Sequence, residues 1–226
     1  MKNMKFVAAL LIAGGVALAG TLSTTQAFAA DPEPSKGDKG KADHKNDAKP
    51  GAVGSTAPAF TLTDTDGKSH ALADLKGKIV VIEWFNPECP FIVKHHKVNT
   101  TFNNLFSEYN SKGVVFLAIN SSAKGKQGNG KDLNAKMKTE YKMEYPILID
   151  EDGAVGTAYG AKTTPHVFII GTDGKIAYNG AIDNSTDVKK AGDKNYAKMA
   201  LDEMLAGKPV STTETKPYGC SVKYAK

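Results

Sequence analysis

No arginine occurs anywhere in the 226 residues; apart from histidine, every basic side chain is lysine. Sites that need a planar guanidinium fork are therefore excluded, because a lysine ammonium is a point charge and cannot imitate that fork. Cysteine is almost as scarce. Cys89 and Cys220 are the only two, the smallest number that can close a disulfide within one chain, and an oxidising compartment would permit that bond. No charge of one sign dominates: the formal net charge is +5, and Lys2 and Lys5 of the first segment supply two of those charges. Such an excess speaks to solubility and does not predict nucleic acid binding. The longest apolar run, Phe6 to Leu18, is shorter than the ~20 residues of a spanning helix. No internal repeat is visible.

What is present is ordinary globular composition, 41% hydrophobic and 23% charged, at a length that suits one domain of roughly 150 residues plus extras. Residues 1–29 read as an export signal. Lys2 and Lys5 precede the apolar run, and small and polar residues lead to Ala27-Phe28-Ala29, an A-x-A cleavage site. No cysteine lies near that site, so a lipid anchor is not expected. The mature chain is predicted to be exported, periplasmic or secreted, with no membrane span. Residues 30–54 hold five lysines, five acids and no aromatic side chain, a mixture that buries no core and reads as a disordered linker with His44 solvated inside it.

Folded structure is expected from Ser55 to Lys208, followed by a tail over 209–226. Ile79 to Phe85 and Val114 to Ile119 are apolar, β-branched runs typical of strands buried on both faces. Between them, Ile92, Val98, Phe102, Leu105, Phe106 and Tyr109 recur at helical spacing, predicting one helix from Pro90 to Tyr109. Lys131 to Tyr141 reads as a second helix and Ile147 to Asp150 as a short strand. His166 to Ile170 and Lys175 to Tyr178 flank the turn Gly171-Thr172-Asp173-Gly174, and Asn195 to Leu205 closes the domain as a helix. This order predicts an α/β fold, a central mixed sheet flanked by helices on both faces, with the two inner strands parallel. Chemistry in such sheets collects beyond the carboxyl ends of the strands, where Cys89 falls.

Cys89 follows a buried strand and precedes Pro90, a residue favoured in the first turn of a helix. Unpaired amides at a helix start favour thiolate, while the adjacent Glu88 carboxylate opposes it. Redox chemistry also requires the sulfur to be reachable. The bland alternative is a buried cysteine that fills space. His95 and His96 lie nearly two helical turns after Cys89, too far along the axis to pair with it, and are expected in surface or packing roles. His70 and His166 carry no constellation.

Several segments together resemble the alkyl hydroperoxide reductase/thiol-specific antioxidant branch, the redoxin or peroxiredoxin-like branch, of the thioredoxin superfamily. They are Ala57-Pro58-Ala59-Phe60-Thr61-Leu62, Leu75-Lys76-Gly77-Lys78, Trp84-Phe85-Asn86-Pro87-Glu88-Cys89-Pro90-Phe91, Thr164-Pro165 and Asp173-Gly174-Lys175. The resemblance implies a thioredoxin-like fold over about 55–209 and a thiol-dependent oxidoreductase of antioxidant type. Cys89 would be the nucleophile toward a disulfide or a peroxide, with an unidentified thiol reductant resetting it and no cofactor or metal required. It implies that Pro165 takes the cis form and, with Thr164, shapes the pocket of the sulfur.

Two departures from the pattern stand out. The Cys-x-x-Cys window reads Asn86-Pro87-Glu88-Cys89, and the Pro-x-x-x-Thr-x-x-Cys signature of peroxiredoxins has Ile82 and Asn86 at its key places, with no arginine available. Cys220, in Lys216-Pro217-Tyr218-Gly219-Cys220, has enough tail to reach Cys89. Three roles stay open for it: a resolving thiol, a permanent staple, or a cysteine that is unpaired or faces another subunit. Two rival functions also stay open. One is a copper- or zinc-handling protein with Cys89 and His95 or His96 as soft ligands. The other is a non-catalytic module that keeps the fold for partner recognition.

Overall fold

The computed structural model describes residues 49–225, so the predicted leader, His44 and the linker as far as residue 48 lie outside the described residues. β-Branched and aromatic runs build the sheet, as their fit to a pleated surface favours. β1 (Thr61–Asp64) and β2 (Ser69–Ala71) form a hairpin whose turn is held by the Asp64 carboxylate, which accepts from the Asp66 and Lys68 amides at 2.9 Å each. β3 (Val80–Trp84) is buried along its whole length, and β4 (Val115–Asn120) runs parallel beside it, as predicted for the inner pair. β5 (Ile147–Ile149) adds a further parallel strand, and β7 (Val167–Ile170) and β8 (Ile176–Gly180) pack antiparallel on the other side of β3. The order is β2-β1-β5-β4-β3-β7-β8.

Strand alternation sends side chains to two apolar layers. One gathers Phe85, Cys89, Phe102, Tyr109, Ile169 and Leu201 under α2 (Thr101–Tyr109) and α5 (Tyr196–Leu205). The other stacks Trp84, Tyr159 and Phe168 beneath α4 (Ala154–Tyr159). α3 (Lys131–Glu140) follows the loop after β4. Among the described residues no helix is long and apolar enough to cross a membrane.

The predicted helix from Pro90 to Tyr109 is in fact three pieces. α1 (Pro90–Val93) passes into a π-helical turn over Lys94–Val98, and Thr100, in the left-handed region at φ 50°, separates that turn from α2. The wider turn lets three consecutive polar residues, Lys94, His95 and His96, all face inward, whereas 100° steps in an α-helix would carry one of them out. Val98, expected on the buried face, is 56% exposed for the same reason. α4 was not expected, because Gly153, Gly156 and Gly160 weaken the helical pattern of its short sequence. The packed chain also begins before Ser55: Gly54 N donates to Ile176 O, and Gly51 O accepts from Asn179 Nδ2, both at 2.8 Å. Finally, the tail folds back over the domain. Its strand β9 (Cys220–Ser221) pairs antiparallel with β6 (Thr163–Thr164), setting Cys220 opposite Thr164.

Candidate active site

β3 ends at Trp84, and the chain leaves the sheet through a tight turn built by Asn86. Its side-chain oxygen accepts from Glu88 N at 3.0 Å, its side-chain nitrogen donates to Gln127 O at 3.2 Å, and its carbonyl accepts from Cys89 N at 3.0 Å. Cys89 then caps α1 with Pro90 at the first helical position. The Glu88 carboxylate turns away to the Gly128 amide, at 2.7 Å.

The structure brings four predicted residues together. The Thr164-Pro165 bond is cis, and the Cys89 sulfhydryl donates to Thr164 O at 3.0 Å. Cys220, opposite Thr164 across the β6–β9 pair, packs against the apolar layer that holds Cys89, whose sulfhydryl meets the Thr164 carbonyl. Both cysteines are free thiols. Burial, followed by the contact with Cys89 and its charge, pushes the Cys220 thiol up to about 11.

Two expectations about Cys89 fail, the first being the helix-start amides: among the described residues none donates to its sulfur, which is itself a donor to Thr164 O. Cys89 was expected to be reachable, but its exposure is 0%, while Cys220 remains partly exposed. Cys89 lies in the apolar layer, and the tail docks beside it through the pairing of Cys220 with Thr164. Gly219, at φ 135°, lies so close that a Cβ there would collide with the Thr164 carbonyl.

Two tyrosines hold the tail on either side of Cys220. Downstream, Tyr224 OH donates to Ala161 O at 3.0 Å and its ring covers Gly153 and Gly156. Upstream, Tyr218 enters a buried polar cluster made by Lys94, His95 and Asp183. Its hydroxyl donates to Asp183 Oδ1 and accepts from Lys94 Nζ at 3.2 Å. A phenol has one proton, so His95 Nε2–H must be the donor in its 2.9 Å bond to the same oxygen, which leaves Nδ1 to accept from Thr101 Oγ1 at 3.0 Å. Lys94 Nζ also donates to Ser185 O at 2.6 Å and lies 3.7 Å from Asp183. Burial lowers the Lys94 pKa against the pull of Asp183, and pushes His95 down to about 3. Burial and the Asp183 carboxylate raise Tyr218.

The remaining histidines are structural. His96, stacked between Phe102 and Tyr141, bonds Glu83 Oε1 at 2.8 Å, and Tyr145 OH donates to the other oxygen of Glu83 at 3.2 Å. His95 and His96 thus pack in the interior with other partners, and neither lies at the surface. Among the described residues no three His, Cys, Asp or Glu side chains converge as a metal-binding group. His166, expected to have no constellation, accepts from Lys162 N at 3.2 Å and pairs with Asn179 Oδ1 at 2.7 Å; His70 pairs with Asp64 at 2.7 Å. Sequence reasoning missed the Tyr218 cluster. Its available signals were the polar run Lys94-His95-His96-Lys97 between Val93 and Val98 and the glycine directly before Cys220.

The model of the Redoxin family matches residues 52–195. A thiol-disulfide oxidoreductase, ResA, of Geobacillus thermodenitrificans is 34% identical over 125 residues, which cover 55% of this chain and 67% of that protein. A crystal structure of an uncharacterised conserved protein from Geobacillus kaustophilus superposes with a TM-score of 0.70 at 32% identity, covering 77% of this chain and 93% of that one. The thioredoxin domain of a thiol-disulfide oxidoreductase from Bacteroides vulgatus shares the fold, with a TM-score of 0.52 at 22% identity over 68% of this chain and 98% of that one.

Proposed function

The chain belongs to the redoxin family of the thioredoxin-like superfamily, and we propose that within this thiol-dependent oxidoreductase family its redox couple is Cys89 with Cys220. The observation that carries this reading is the β6–β9 pairing, which sets Cys220 opposite Thr164, the residue whose carbonyl accepts from Cys89, although the two cysteines lie far apart in sequence. The tail thus supplies the second sulfur that the Asn86-Pro87-Glu88-Cys89 window lacks. In oxidation the two thiols lose two electrons and two protons and form one S–S bond; a partner disulfide takes up those electrons and protons and becomes two thiols. Thr164 and Pro165 position the buried sulfur through the Thr164 carbonyl.

A disulfide fits this site better than a peroxide. Splitting an O–O bond calls for donors that stabilise the departing oxygen, and the chain has no arginine to act as one. The export signal read in residues 1–29 puts this exchange outside the cytoplasm, where a disulfide persists.

Peptide mapping of the oxidised protein without reductant should recover a Cys89–Cys220 disulfide, and Cys89→Ser should abolish turnover in disulfide and peroxide assays alike. Retained disulfide turnover in that variant would reject the assignment. Turnover of peroxide alone by the wild type would reject the choice of substrate.

A further inference from the structure

We infer that partners exchange with this protein at the Cys220 sulfur, and that Cys89 is the internal thiol which meets only Cys220. The inference rests on the Cys89–Cys220 couple proposed above. It reverses the roles that position in the sequence suggests, where the cysteine at the helix start is the one presented to substrate.

Access decides the roles. Thiol–disulfide exchange is a displacement in which the incoming sulfur must reach the sulfur it attacks, and reach it from the side opposite the leaving group. Cys89 has 0% exposure, and its sulfhydryl is directed at Thr164 O beneath the tail. Cys220 is partly exposed and is paired with Thr164, the residue that Cys89 contacts. Cys220 is clamped from both sides, by Tyr218 in the Lys94, His95 and Asp183 cluster and by Tyr224 over Gly153 and Gly156. Val222 N also donates to Lys162 O at 3.1 Å, and Ala123 N to Lys223 O at 2.9 Å.

In the exchange, a partner thiolate attacks Cys220 Sγ of the closed disulfide. A partner–Cys220 bond forms, the Cys89–Cys220 bond breaks, and the electron pair leaves on Cys89, which takes up a proton. A second partner thiol then displaces Cys220, which leaves as a thiol once protonated. Two partner thiols become one disulfide and the protein gains two electrons and two protons. The reverse sequence passes through the same mixed disulfide.

Glutathione disulfide tests the assignment on single-cysteine variants of the full chain. In Cys89→Ser, Cys220 should take up glutathione on the order of tenfold faster than Cys89 does in Cys220→Ser, as read by mass spectrometry. Removing Cys89 deletes two of the three causes that raise the Cys220 pKa and leaves its burial. Adding Tyr218→Ala to Cys220→Ser should free the tail and accelerate the Cys89 reaction. Equal rates, or a faster Cys89, overturn the inference; so does slow Cys89 labelling that Tyr218→Ala leaves unchanged. Cys89→Ala repeats the first arm if the serine variant fails to fold. Failure of the wild type to form a Cys89–Cys220 disulfide is a separate result, which overturns the couple itself.

Discussion

Tyr218→Phe isolates the contribution of one hydroxyl to the cover over Cys89. The ring stays, and with it the edge contact to Phe91 at 5.5 Å and the Lys94 ammonium 5.0 Å from the ring centre. What goes is the oxygen shared by Lys94, His95 and Asp183. Asp183 keeps the Ser185 and Gly192 amides and Lys94 keeps Ser185 O, while His95 Nε2–H loses its partner, so one charged hydrogen bond sets the smallest loss to expect. Such a bond is worth about 1.5–3 kcal/mol. At 1.4 kcal/mol per factor of ten, the tail-open population should rise about 10- to 100-fold. Peptide-resolved alkylation of the reduced protein reads this directly, because local opening governs the labelling of a buried thiol. Cys89 should label faster by that factor with the circular dichroism spectrum unchanged. A lower unfolding midpoint with unchanged Cys89 labelling would refute the reasoning, since the hydroxyl would then stabilise the fold without holding the cover.

Two further predictions follow from the same geometry. Burial pushes His166 from 6.5 to about 4 and His95 to about 3, so the unfolded chain binds protons more readily than the folded one. Their contribution to stability is complete above pH 6.5 and is lost as pH falls toward those values, by up to about 1.4 kcal/mol per unit for each. Urea midpoints should therefore drop between pH 7 and pH 5, and His166→Asn should flatten part of that slope; a level midpoint contradicts it. Gly219→Ala drives a methyl into the Thr164 carbonyl and lifts Cys220 from β6, so closure of the Cys89–Cys220 disulfide should slow by roughly tenfold or more. Closure at the wild-type rate, measured by quenched alkylation, counts against the register.

The sheet was legible because its inner strands are rich in apolar and β-branched residues, with Val115 to Ile119 an uninterrupted run that has no alternative to burial. Cys89 was legible because it stands at a strand boundary next to a proline, and Thr164-Pro165 only through the resemblance to the redoxin branch. The landing place of Cys220 was not, since a two-residue strand carries no periodic signal and its partner lies far away in the chain. The cluster around Tyr218 was hidden for a related reason. Lys94, His95 and Asp183 are polar, and polar residues read as solvated until long-range folding shows that they satisfy one another. Cys89 is covered where sequence reasoning expected it to be open, because it lies in the apolar layer.

β9 has a side-chain period of two, so Cys220 points inward and Ser221 outward. A shift of the tail by one position would offer Cys89 a hydroxyl or a glycine, neither of which can share electrons with sulfur. Tyr218 and Tyr224 therefore act as a ruler. The spacing between these two rings and the cysteine determines which side chain meets Cys89, and inserting a single residue there should prevent closure of the proposed disulfide with the composition of the site unchanged.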